Sequence, residues 1–184
     1  MPADTLPATV TDFLAWARRN GGRAEFLGGA VQPQPAASLA HDTICGNLFA
    51  ALHAGADGID RHVFQGVLVE VPGVGFLSPD IVFGTWTPAG DEVHLRGPQL
   101  VVEVMAPATA ARDRGLKWKA FQQVAALERY VLVDEAEWSV EVFARGADET
   151  WRYERLSGAK DSLTIPSIGF AMPLAAIYRG VFRA

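Results

Sequence analysis

The spacing of hydrophobic residues changes period along this chain. In residues 11–20, Phe13, Leu14 and Ala17 share one side of a 3.6-residue repeat, which predicts a short helix capped by a threonine and closed by Gly21 and Gly22. Residues 23–31 read as a hairpin turning at Gly28-Gly29. A second helix fits 38–54, because Ser38 can cap it while Ile44, Leu48, Ala51 and Leu52 recur at helical spacing. From Arg61 onward the pattern is that of strands, at 63–71, 80–83 and 99–105, separated by Gly/Pro turns, with 84–98 read as a loop. A third helix over 112–126, strands at 128–133, 138–144 and 150–156, and a short helix at 174–178 complete the pattern. This order predicts an α/β (α+β) fold with helices packed on a central sheet.

No repeat or low-complexity tract divides the chain, and the Pro-rich stretch 32–35 is too short for a linker. One domain is expected over 1–184, with an N-terminal helix in 1–22 and the core in 23–184. A composition of 49% hydrophobic and 20% charged residues excludes disorder and collagen-like repeats. The single cysteine, Cys45, forms no internal bridge, and no basic, apolar leader or long apolar run is present, so a cytoplasmic protein without a membrane span is expected. A net charge of −5 argues against a general nucleic-acid coat protein held by phosphate neutralisation. It leaves room for an enzyme whose acidic site carries a metal.

Candidate chemistry lies where the pattern places charge at an energetic cost. The run Leu100-Val101-Val102-Glu103-Val104-Met105 reads as a central strand covered on both faces, with Glu103 on the same face as Val101 and Met105. A buried carboxylate needs compensation, from an ion pair or from a metal. Asp80, in Ser78-Pro79-Asp80, leads into Ile81-Val82-Phe83; it reads as a turn residue by itself and, with Glu103, as one of two carboxylates on neighbouring strands. Such oxygen ligands suit Mg²⁺ or Mn²⁺. On the third helix, Lys117 shares its stripe with Asp113, Ala120, Phe121 and Val124, whereas Lys119 sides with Gly115, Gln122 and Gln123. Lys117 is therefore expected to point at the sheet and Lys119 at solvent. Asp113, one turn before Lys117, is placed to hold its ammonium.

The segments S-P-D-I-V-F, L-V-V-E-V-M-A-P-A-T, A-R-D-R-G-L-K-W-K-A-F and E-R-Y-V-L-V-D together resemble the Uma-two family, a branch of the PD-(D/E)XK nuclease superfamily, over about 25–178. The resemblance implies a restriction-endonuclease-like fold, a divalent metal held by Asp80 and Glu103, and hydrolysis of DNA phosphodiester bonds. It also implies Lys117 as the catalytic lysine and a homodimer. The superfamily signature would put that lysine two residues after the glutamate, where this chain has Met105. By the resemblance alone, Glu25 and His41 join as supporting site residues. Arg112, Arg114 and Lys119 read equally as contacts to a nucleic-acid backbone or as a solvated helix start.

His41 and Cys45, four apart on one helix, read mainly as packed residues, and the histidines lack zinc-type spacing. There is no phosphate loop or dinucleotide motif. Of the five tryptophans, Trp86 in the long loop is the candidate for base stacking. Two functions stay open: a metal-dependent endonuclease, or a catalytically inactive module that keeps the nuclease fold to bind DNA or protein.

Overall fold

The computed structural model describes residues 7–20, 24–56, 60–87 and 92–182. Helix α1 (Val10–Asn20) begins one residue earlier than its pattern implies: Thr9 Oγ1 accepts from the Asp12 amide at 3.1 Å and donates to the Asp12 carboxylate at 2.7 Å. The expected stop at Gly21-Gly22 lies outside the described residues. Strands β1 (Ala24–Leu27) and β2 (Ala30–Pro33) form the expected hairpin, with positive φ at both Gly28 and Gly29. Helix α2 (Leu39–Ala54) is capped by Ser38, whose Oγ accepts from the His41 amide at 3.0 Å and donates to Glu135 at 2.6 Å. Ser38→Ala is therefore expected to cost about 1 kcal/mol in a urea unfolding curve, the usual loss for an N-cap.

The stretch 63–71 is two strands rather than one. Gly66, at φ +59°, breaks it into β3 (Arg61–Gln65) and β4 (Leu68–Val71), which enter different sheets. Strand β5 (Gly75–Leu77), missed in the sequence, follows at once, and Gly75 is there for closeness. A Cβ on it would stand 2.0 Å from the Phe26 carbonyl oxygen, so only glycine lets β1 lie against β5. Strands β6 (Ile81–Thr85) and β8 (Leu100–Met105) enclose the long loop, which carries the two-residue β7 (His94–Leu95). Trp86 is packed there: its Nε1 donates to the Arg96 carbonyl and its ring lies over Gly84, so it is not a free stacking platform.

Helix α3 starts at Ala110, earlier than expected, and ends at Phe121 rather than 126. It passes through a π-helical turn at Asp113–Lys117. Strands β9 (Arg129–Asp134), β10 (Val140–Arg145) and β11 (Trp151–Leu156) match the pattern, and a further hairpin of β12 (Ser162–Ile165) and β13 (Phe170–Pro173) precedes the C-terminal turn Leu174–Ile177.

Six strands form the main sheet in the order β11-β10-β9-β8-β6-β3, antiparallel except for the parallel pair β8 and β9. The second sheet, β2-β1-β5-β4-β7, sits beside it. All six β8 residues are buried, as a strand covered on both faces requires. Ile44, Leu48, Val102, Val104 and Val131 pack on one face under α2 and the C-terminal hairpin. Val82, Val101, Met105, Phe121, Tyr130 and Leu132 pack on the other, under α3. By alternation Glu103 belongs to the α3 face. No helix among the described residues is long and apolar enough to cross a membrane.

Candidate active site

The β6–β8 register pairs Ile81 with Val102, and one step further Asp80 stands opposite Glu103. Antiparallel pairing thus brings together two acids separated in sequence by a loop. Asp80 Oδ2 accepts from the Val104 amide at 2.8 Å, which holds its carboxylate across the strand gap. From α3, Lys117 Nζ donates to Glu103 Oε2 at 2.9 Å and lies 3.3 Å from Asp113 Oδ1. Lys117 is buried and Lys119 exposed, as the helical stripe implied. The π-helical turn spans Asp113 to Lys117. It is pinned by the Tyr130 hydroxyl, which donates to the Asp113 carbonyl at 3.0 Å. Such turns are rare and gather at functional sites.

Glu25, fully buried, reaches the same point from the second sheet. Its Oε1 accepts from the Ser78 amide at 3.2 Å and from Gln34 Nε2 at 3.1 Å, and stands 3.2 Å from Lys117 Nζ. Its Oε2 is gripped by Arg112. Arg112 is therefore bound to an acid of the site, and Arg114 likewise pairs with Glu141 at 2.7 Å, so neither stands free for a nucleic-acid backbone. Gln34 and Ser78 are the residues that the sequence left unnoticed: a Gln in a Pro-rich stretch and a Ser before a Pro look like loop chemistry, and nothing local points them at Glu25.

His41, at the start of α2, places Nε2 3.2 Å from Asp80 Oδ2 and Nδ1 3.4 Å from Asp42 and 3.6 Å from Cys45 Sγ. The four-residue spacing does bring His41 and Cys45 together, and with Asp80 they form a group of donor atoms within 4.8 Å of one another. The two contacts use different ring nitrogens. Cys45 is embedded beside Ile44 and Leu48 in the core.

The electrostatics follow from burial. Desolvation holds the Glu103 carboxyl well above the usual carboxylate range; Lys117 pulls it down, and Asp80, Asp113 and Glu25 push it further up. Burial works against the Lys117 ammonium, but Glu103, Glu25 and Asp113 outweigh it and keep the amine charged beyond the ordinary lysine range. Burial also lowers His41, yet Asp80 and then Asp42 leave it above its usual value. Tyr130 is pushed up by burial and by the surrounding acids.

Four carboxylates thus gather here: Glu25, Glu103 and Asp113 share two permanent cations, Lys117 and Arg112, while Asp80 pairs with His41. Glu103 Oε1 is buried with no hydrogen-bond partner. Beside it lies a cavity of about 60 Å³ lined by Gln34, His41, Asp80, Glu103, Thr109 and Lys117 among others. An excess of acids and an orphaned carboxylate oxygen fit a hard divalent cation, which binds through one or two carboxylates and keeps several waters.

A mixed sheet flanked by helices, with acids converging at the point where β6 meets β8, defines a restriction-endonuclease-like fold. The chain belongs to the family Uma2, described as "Putative restriction endonuclease", whose match spans residues 10–175. Two uncharacterized proteins of Synechocystis sp. are similar to it. One, slr1290, is 26% identical over 174 residues, covering 92% of this chain and 90% of the relative. The other, sll1609, is 23% identical over 161 residues, covering 85% and 91%. A crystal structure from Anabaena variabilis, described as a "putative nuclease belonging to DUF820", superposes with a TM-score of 0.72 at 14% identity, covering 86% of this chain and 91% of that one.

Proposed function

We propose that this protein is a metal-dependent endonuclease that hydrolyses phosphodiester bonds of DNA. The observation that carries the reading is the meeting of Asp80, Glu103 and Lys117 at one cavity, with Glu103 Oε1 left unpartnered. Asp80 and Glu103 would hold Mg²⁺ or Mn²⁺. Bound there, the ion would polarise the phosphate and lower the pKa of a water. Lys117 holds the positive charge that offsets charge growing on the phosphoryl oxygens, and it can orient the attacking water. Three carboxylates surround its ammonium, so it must turn an N–H away from one of them to meet substrate. Glu25 and Asp113 fix where that ammonium stands. Arg112 anchors Glu25, Gln34 and the Ser78 amide complete the anchor, and His41 steadies Asp80.

The test is Mn²⁺ titration by calorimetry together with cleavage of mixed-sequence DNA, on wild type and Asp80→Ala. Wild type is expected to bind the ion and cut, and the variant to lose both. A wild type that neither binds nor cuts, or a variant that cuts equally well, ends the reading.

A second reading, an inactive module on the nuclease fold, is favoured by one observation: Arg112, which lines the cavity, and Arg114, two residues on in α3, are both paired with acids. It predicts DNA or protein binding without cleavage at any Mn²⁺ concentration.

A further inference from the structure

Strand β11 ends the six-stranded sheet, and residues 152–155 along it are exposed, including Tyr153 at 57%. An edge of this kind offers unpaired backbone groups to another strand. Which residues offer them follows from two hydrogen bonds. The Gly146 amide donates to the Thr150 carbonyl, so Thr150 faces β10, while the Arg145 amide, opposite Trp151, donates to Glu128 on the far side. By alternation Arg152 and Glu154 turn their backbone toward β10, and Trp151, Tyr153 and Arg155 turn theirs outward.

A second copy of this chain pairing antiparallel with β11 must match outward groups with outward groups, which leaves three central registers. If Arg152 lies opposite itself, two arginines collide; if Glu154 lies opposite itself, two glutamates do. Centred on Tyr153, the register sets Arg152 against the other copy's Glu154, twice by symmetry. It also sets Trp151 against Arg155. We infer that β11 is a self-association edge, two copies of the chain pairing antiparallel through it about a twofold axis at Tyr153. The same strand is then its own complement in charge, and the two six-stranded sheets run on as one.

The edge is short, so the dimer is concentration-dependent. Sedimentation or light scattering of the full chain between about 10 and 500 µM, a range typical of weak association, should show a monomer–dimer equilibrium. Glu154→Arg replaces two attractive cross-strand pairs by two repulsive ones and should weaken the dimer about tenfold. The charge swap Arg152→Glu with Glu154→Arg restores the pairing and should return the wild-type constant. Tyr153→Cys should form a disulfide-linked dimer on mild oxidation, since paired Cα atoms about 5.5 Å apart suit the bridge; Trp151→Cys, paired with Arg155 instead, should not. A chain that stays monomeric throughout, or a dimer indifferent to Glu154→Arg and unlinked at Tyr153→Cys, overturns the inference. None of these readouts requires nuclease activity.

Discussion

Lys117→Met is expected to lower the stability of the metal-free protein by about 3–5 kcal/mol, the usual loss when one member of a buried ion cluster is removed. Methionine nearly preserves the volume, so the loss would report charge rather than a cavity. What remains is Glu25, Glu103 and Asp113, none more than 2% exposed, with Arg112 alone left among them. The penalty should also depend on pH, and the direction follows from Glu103. Its folded-state carboxyl already lies well above the usual value of 4.5, held there by burial, and removing Lys117 takes away the main influence pulling it down. A group with a raised folded-state pKa keeps its proton in the folded protein after the unfolded chain has lost it. Stability therefore falls as pH rises above about 4.5, the ordinary glutamate value. The Lys117→Met loss should accordingly be smaller at pH 5 than at pH 8. Urea unfolding at both pH values measures it; a pH-independent loss would show that Glu103 does not feel the missing ammonium.

Glu103→Gln should spare stability and, on the proposed function, abolish DNA cleavage. Removing this charge relieves repulsion from Asp80, Asp113 and Glu25, and Lys117 keeps Glu25 at 3.2 Å and Asp113 at 3.3 Å as partners. Metal-free stability is expected to stay within about 1 kcal/mol of wild type or to rise, a neutral isostere having lost only a net hydrogen bond. The metal response separates this from a simple structural change. At an Mn²⁺ concentration a hundredfold above its dissociation constant, wild type gains about 2.7 kcal/mol by mass action, and the variant should gain almost nothing. A metal-free loss of several kcal/mol would instead make Glu103 half of a structural salt bridge. The contrast with Lys117→Met is the informative part, because Glu25, Glu103 and Asp113 share two cations and a cation is the scarcer member.

Much of this arrangement is legible in short-range pattern. Asp113, Lys117, Ala120 and Phe121 are buried along α3 as the helical stripe implied, with Val124 buried beyond the helix end, and the apolar run around Glu103 forms a strand covered on both faces. Ser38 caps α2 where its side chain can reach a free amide. Less legible was where one strand ends. Residues 63–71 are rich in Val, Leu and Phe and read as one strand, yet positive φ at Gly66 sends the two halves to different sheets. Two-residue β7 is too short to show a period, whereas Ser162-Leu163-Thr164-Ile165 does alternate polar and apolar and went unread as a strand.

Local periodicity settled the type of the main elements and the inward direction of Lys117, because helix and strand geometry act over a few residues. Which charges meet Lys117 was decided only in three dimensions. Glu25 binds Ser78 across 53 residues and Arg112 across 87, and Asp80 meets Glu103 only because β6 and β8 pair in one register. Contacts between separate sheets leave no trace in the spacing of either partner, since each is made by residues whose own neighbours along the chain look ordinary.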